Sequence, residues 1–502
     1  MINFKTEKND LKPSDIWSVE PIETTQIETL ENKEILDRLE FKAKFGEVAI
    51  LPESKKIYLG LTFEAKQKSA DPFYKANYYN LGAVLVRKIS KLKLENLLIQ
   101  DTEVLSSNTR KFFDFILGIS QASWSLDTYL PIDQAKSKNI NLYFDSSLEA
   151  LITTEFLTNF EALNKGITLT RSLVDDIPEF INPQTLPKIV DTELGNNENV
   201  NLKHYNYAQI QELGMEGITF VGRASRYEPS MIHAIIKPQG DIKHKICLVG
   251  KGVTYDSGGL DIKTDGHMKT MKSDMAGSAT MFGVIKTLSE IGLQNTEVHW
   301  ISAWVENMVD GSSYKSDDIL TTYSGQTVEI WNTDAEGRLT LADALTLATL
   351  QNPDYIVDAA TLTGAAVVAV SEYYTAMMGN DKDLINQLEQ TFILEGEKTV
   401  HTPLPEVLRS KVKGDLGELI NISTLGRYAG HLTAGLFLSH FVDQKNFRNP
   451  KLKIENPKAF AWVHLDIAGS AMNKGMNDLE ANGATGQSVR SLVNWILDMD
   501  KK

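Results

Sequence analysis

The chain has 502 residues, 42% of them hydrophobic and 23% charged, with a formal net charge of −15 and a single cysteine. That length calls for about two to four domains, of which two are expected, and the acidic balance opposes nucleic acid and acidic lipid as partners. Cys247 lies alone in the apolar run ICLV, which excludes an intrachain disulfide and a cysteine-based zinc site.

The N-terminal stretch MINFKTEKNDLKPSD has no apolar export core, and the longest apolar tract, Ala359 to Val370, is too short for a membrane span. A soluble cytoplasmic protein with no membrane partner is expected. In chain order, EVAILP and KIYLGLTF read as strands around a turn, LGAVLVRKI as a helix, and ENLLIQ and NINLYF as strands. These predict a small α/β domain over residues 1–165. No clustered acids, paired histidines or glycine-rich phosphate loop precede its end, so its expected role is scaffold or assembly. Helical spacing from Leu148 to Val174 gives way to IPEFINPQTLP with its three prolines. Residues 166–190 are therefore predicted as a connecting helix and linker, and 191–502 as a larger C-terminal domain.

In that domain KICLVG, VHWISAWV, TVEIWN, YIVDAA and WVHLDIAG read as buried strands with helices between several of them. The pattern predicts an α/β fold with a mixed central sheet flanked by helices, whose ligands gather outside the carboxyl ends of its strands. Three segments put polar groups there. KICLVGKGVTYDSGGLDIK sets Lys251, Asp256, a Gly258-Gly259 turn and Lys263 after a strand, and Asp274 stands near the start of the helix in MKSDMAGSATMFGVIKTL. NTDAEGRLTLADAL, between TVEIW and an apolar helix, carries Asp334, Glu336 and Arg338 at alternate positions, which would share one side if the segment stays extended.

Taken singly, each fits a plainer role: a solvated lysine, a turn, a helix cap, a surface ion pair. Together they direct four carboxylates to one sheet edge, and four unpaired carboxylates do not crowd together without cations. Two divalent metals would resolve that repulsion, and oxygen-rich ligation suits Mg²⁺, Mn²⁺ or Zn²⁺. The absence of HExxH, and of histidines three or four apart, argues against a mononuclear histidine-zinc site.

VGKGVTYDSGGLDIK, MKSDMAGSA, NTDAEGRLTLADAL and AATLTGA, in this order, resemble the leucyl aminopeptidase (cytosol aminopeptidase) family of dinuclear metallopeptidases. The resemblance covers roughly residues 170 to 495. It implies that Asp256 and Glu336 bridge two metals, Asp334 completes the first shell, and Lys251, as a neutral amine, completes the second with Asp274. It also implies that Lys263 steadies the developing oxyanion and that Arg338 holds a bicarbonate serving as base toward a metal-bridging water. Thr361, Leu362 and Gly364 resemble the segment that binds the substrate backbone.

The implied activity is removal of leucine-like N-terminal residues from peptides, with two ions per subunit, Mn²⁺ or Zn²⁺ first and Mg²⁺ or Co²⁺ as alternatives. The implied assembly is a homohexamer. Departures fall in RSLVDDIPEFINP and at His431 of GRYAGHLTAG, outside the metal motifs. Another dinuclear hydrolase such as a phosphoesterase lacks support, because neither GxxxxGK[ST] nor GxGxxG occurs near these strands. A DNA-binding regulator or purely structural oligomer is opposed by the net charge and by the intact metal motifs.

Overall fold

The computed structural model describes residues 2–5, 15–63, 71–73, 75–92, 94–101, 103–426, 428–452, 457–473 and 483–502. These fall into two compact units, one running to Asn164 and the other comprising Lys165–Asn473 and Gly483–Lys502. The division lies inside the helix Thr154–Asp175. Residues 166–190, expected as a connector, are packed within the second unit: Thr170 Oγ1 donates to Ala279 O at 2.9 Å and Arg171 Nε to Ala484 O at 3.0 Å.

The first unit holds a six-stranded sheet in the order Ile2–Phe4, Ile140–Phe144, Asn96–Ile99, Trp17–Ile22, Lys56–Gly60, Val48–Leu51. Neighbours run parallel except the last two, which residues 52–55 join as an antiparallel hairpin. The helices Tyr78–Ile89 and Thr109–Ser123 pack on each other.

The second unit is built on a nine-stranded mixed sheet. Its order is Thr399–His401, Thr375–Gly379, Ala461–Asp466, Tyr355–Ala360, His244–Gly250, Thr296–Asn307, Ser230–Ile236, Val200–Tyr205, with Gly252–Asp256 pairing separately with Thr296–Asn307. The four central strands are mutually parallel. A strand covered on both faces is apolar on both, which is why KICLV and YIVDAA read as continuous runs. Cys247 and Val249 share a core cluster with Leu341, Leu345 and Ala348 of the helix Gly337–Thr349. Gly250, on the opposite face by strand alternation, abuts Ser278 of the helix Ala276–Ile291. Among the described residues no helix is long and apolar enough to cross a membrane.

One strand placement is corrected. TVEIW contributes only Thr327–Glu329, and this strand belongs to a separate three-stranded sheet with Ile319–Thr321 and Leu419–Ile420. Thr327–Glu329 is paired on one side with its hairpin partner Ile319–Thr321 and on the other with Leu419–Ile420, so neither edge is left for the large sheet. The segment after Lys251, in which only the polar residues stand out by sequence, holds a further strand, Gly252–Asp256, with a register shift between Val253 and Tyr255.

Candidate active site

Two strand ends and two helix starts meet at the carboxyl edge of the large sheet. Lys251 follows the strand His244–Gly250, and its backbone N–H donates to Ala359 O on the next strand at 3.0 Å. Asp256 ends the strand Gly252–Asp256, and Asp274 follows the short 3₁₀ turn Met271–Ser273 ahead of the helix Ala276–Ile291. Gly258 and Gly259, at φ of +89° and +65°, turn the chain back so that Lys263 N donates to Ser257 O at 2.9 Å. A Cβ on Gly258 would lie 2.5 Å from Asp261 O, so the turn requires glycine on two counts.

NTDAEGR is not extended. Thr333 and Asp334 form a turn, Glu336 has helical dihedrals (φ −77°, ψ −37°), and the helix begins at Gly337, which places Arg338 in its first turn. Convergence of Asp334 and Glu336 therefore comes from a turn-to-helix junction rather than from strand alternation. The junction is clamped by residues far away in sequence. Asp261 accepts from Thr333 N at 2.7 Å, Tyr314 OH donates to Thr333 O at 2.6 Å, and Asn421 Oδ1 accepts from Trp331 N at 2.8 Å.

Two lysines join the four carboxylates. Lys251 Nζ lies 2.7 Å from Asp274, 3.0 Å from Glu336 Oε1 and 2.9 Å from Thr361 O. Lys263 Nζ lies 2.7 Å from Asp256 Oδ2 and also contacts Asp334 Oδ1. Asp256 Oδ1 accepts from Gly258 N and Asn307 Nδ2, both at 2.9 Å, and Asp274 Oδ1 from Thr361 Oγ1 at 2.8 Å. Lys251, Asp256, Asp274 and Glu336 are all buried.

Burial, then Glu336, pushes the Asp256 carboxyl up to about 6 despite Lys263 and Lys251. Asp274 is raised well above the carboxylate range by burial, with Glu336 and Asp256 adding to it and Lys251 opposing, and Asp334 is raised by burial and Glu336. Glu336 goes the other way, because Lys251 and Lys263 outweigh its burial. Burial pulls the two ammonium groups down, yet their carboxylate neighbours hold both above the ordinary lysine value.

Counted as ionised, four carboxylates and two ammonium groups leave a formal surplus of two negative charges. Oxygens of Asp256, Asp274 and Glu336 lie within 4.8 Å of one another, and the buried Glu336 Oε2 receives no hydrogen bond among the described residues. An oxygen-rich donor set with surplus negative charge and an orphaned buried acceptor fits divalent cations.

Arg338 is buried, its Nε has no hydrogen-bond partner among the described residues, and burial lowers it to about 10 against the pull of Glu336 and Asp466. No ion pair joins it to Glu336 among the described residues. Thr361 enters the cluster directly. Leu362 N donates to Asp466 Oδ1 at 3.2 Å and Thr363 Oγ1 to Asp466 Oδ2 at 2.7 Å, which pins the segment. Gly364, exposed, starts the helix Gly364–Val370 and has open space where a Cβ would be, so a ligand can approach its backbone.

Sequence reasoning missed Asn307, Asp261, Asn421 and Asp466. Asn307 and Asp466 end the strands Thr296–Asn307 and Ala461–Asp466, so a search for polar residues at strand ends finds them. Asp261 and Asn421 carry no such local signal.

Residues 168–493 match the model of the cytosol aminopeptidase family, catalytic domain. A probable cytosol aminopeptidase of Persephonella marina is 34% identical over 471 residues, 92% of this chain and 90% of the relative; one of Aquifex aeolicus is 34% identical over 475 residues, 93% and 90%. The crystal structure of a Coxiella burnetii cytosol aminopeptidase superposes with a TM-score of 0.81 at 26% identity, covering 99% of both chains. The bottromycin maturation enzyme BotP in complex with Mn gives 0.79 at 26% identity, covering 97% of this chain and all of the other. Motifs, mixed α/β architecture and full-length similarity agree: the chain belongs to the cytosol aminopeptidase family and is a hydrolase of the aminopeptidase type, acting on peptides.

Proposed function

We propose that this aminopeptidase is a dinuclear metalloenzyme preferring leucine-like N-terminal residues. The observation that carries the reading is the buried cluster of four carboxylates around two lysines, with surplus negative charge and the unsatisfied Glu336 Oε2. Asp256 and Glu336 would be shared between two ions, Asp334 would complete one set, and Lys251 with Asp274 the other. Mn²⁺ or Zn²⁺ is the expected occupant, with Mg²⁺ or Co²⁺ as alternatives. When bound, such a pair supplies Lewis acidity and a water acidic enough to attack at neutral pH.

The chain's own groups do the rest. Asp274, Glu336 and Asp256 keep Lys251 protonated against its burial, so it serves as an amine ligand only by giving up the Nζ proton. Lys263, positively charged in a largely buried site, is suited to hold the oxyanion that develops on the scissile carbonyl. Arg338, with an orphaned Nε in the first turn of the helix Gly337–Thr349, would hold bicarbonate, which supplies a base. The Thr361–Gly364 segment offers backbone groups to the peptide, with Asp466 keeping it in place.

The N-terminal unit is assigned a scaffold or assembly role in a cytoplasmic homohexamer. The deciding experiment is hydrolysis of a panel of aminoacyl anilides after chelation and after readdition of Mn²⁺, Zn²⁺, Mg²⁺ and Co²⁺, with a phosphate ester assayed in parallel. Activity that survives chelation, or that favours the phosphate ester, overturns the proposal; light scattering that finds a monomer overturns the assembly.

A further inference from the structure

Away from the catalytic edge, the antiparallel strands Val200–Tyr205 and Ser230–Ile236 place Lys203 directly opposite His233 at the margin of the large sheet. Both line a cavity of about 460 Å³, whose apolar wall includes Leu213, Leu347 and Leu350. Lys203 Nζ sits 4.5 Å from the centroid of the Tyr205 ring, a cation-π contact that keeps the exposed ammonium at the cavity.

A partly buried relay sets the chemistry His233 presents. Lys245 Nζ pairs with Glu297 Oε1 at 3.1 Å, the same oxygen lies 2.9 Å from His299 Nε2, and His299 Nδ1 lies 2.9 Å from His233 Nε2. The Glu297 carboxyl is held down at about 2, first by its hydrogen bond with His299, with Lys245 reinforcing it against burial. An ionised Glu297 only accepts, so His299 meets it through Nε2–H, and in the tautomer that carries its one ring hydrogen there Nδ1 is the acceptor. His233 must then donate through Nε2–H, which leaves its own Nδ1 with a lone pair. Burial, then His299 and Lys203, pushes His233 down to about 3, in keeping with a neutral ring. His233 Nδ1 has no partner among the described residues.

A cation and a bare acceptor, contributed by directly paired residues beside an aliphatic wall, match one kind of small molecule. We infer that this cavity is a second, non-catalytic site for the zwitterion of an apolar α-amino acid. Its ammonium donates to His233 Nδ1, its carboxylate pairs with Lys203, and its side chain packs on Leu213, Leu347 and Leu350. The volume falls in the range of small-ligand sites, and free amino acids are what an aminopeptidase releases. The inference does not depend on the metal assignment.

The test is equilibrium dialysis of labelled L-leucine against the holoenzyme at neutral pH, for wild type and Lys203→Met. Lys203 is exposed, so the variant keeps its fold, which unchanged kcat and KM on leucine p-nitroanilide verify. Lys203→Met is expected to weaken one leucine-binding class about tenfold or more, the scale of a charge-assisted contact. The same class is expected to reject 4-methylpentanoate, which lacks the amine, and 3-methylbutylamine, which lacks the carboxylate. Leucine binding unchanged in Lys203→Met overturns the site. Equal binding of 4-methylpentanoate overturns the role of His233, and equal binding of the amine overturns that of Lys203.

Discussion

Gly337→Ala tests whether the position of Lys251, and not merely its charge, matters to the reaction. A Cβ on Gly337 would fall 2.3 Å from Lys251 Cε and 2.6 Å from Nζ. Ordinary carbon contacts begin near 3.5–4.0 Å, so the lysine must retreat by roughly 1.2–1.7 Å. Its Nζ is now bonded at 2.7–3.0 Å to Asp274, Glu336 and Thr361 O. A retreat of that size stretches those contacts beyond hydrogen-bond length. Alanine favours the helix by up to about 1 kcal/mol, while each loosened hydrogen bond to a charged group costs about 1.5–3 kcal/mol, so the expected net loss of stability is at least about 1 kcal/mol. Catalysis is expected to fall about 10²-fold, the usual consequence of misplacing a catalytic group by about 1 Å. The assay is leucine p-nitroanilide hydrolysis across a metal titration, with thermal melts showing that the variant is folded. A folded Gly337→Ala enzyme within twofold of wild type in rate and metal dependence would refute the reasoning.

Glu336→Ala is expected to remain folded and lose nearly all hydrolysis of leucine p-nitroanilide; retained turnover contradicts its proposed ligand role. Because the carboxylates hold Lys251 protonated, metal uptake must expel that proton along with any held by the raised Asp274, and affinity is expected to rise with pH by at least about tenfold per unit. Calorimetry in buffers of different ionisation enthalpy counts the protons released, and a count of zero contradicts the Lys251 assignment. Asp343, fully buried, accepts from Ile218 N and Tyr323 N, yet burial pushes its carboxyl up to about 7. A folded-state value above the unfolded one means that the contribution to stability is complete below about pH 4 and lost as pH rises through about 7. The Tm of wild type should therefore fall across that window while Asp343→Asn, although less stable, lacks this component; parallel Tm profiles count against it.

The parts of this molecule that could be read from the sequence are those in which a local pattern has one physical solution. Apolar runs such as KICLV are strands covered on both faces, and the polar residue at the end of each must lie at the sheet's edge. Lys251 follows from that rule alone, whereas Asp256 ends a short strand that the apolar runs do not mark and Asp274 stands ahead of a helix. The direction of a side chain past the strand end is a different matter, because contacts with distant residues decide it. Lys251 is held by Asp274, 23 positions away, and by Thr361, 110 away; Lys263 reaches Asp334 across 71. The alternation of Asp334, Glu336 and Arg338 was compatible with an extended ligand strip. In the folded chain the segment turns into a helix instead, and Lys251 lies against Gly337: the only residue without a Cβ in this stretch is where the helix starts and where the lysine passes. The glycine between Glu336 and Arg338 is thus part of the site's construction, visible in the sequence but interpretable only once its neighbour 86 positions earlier is in place.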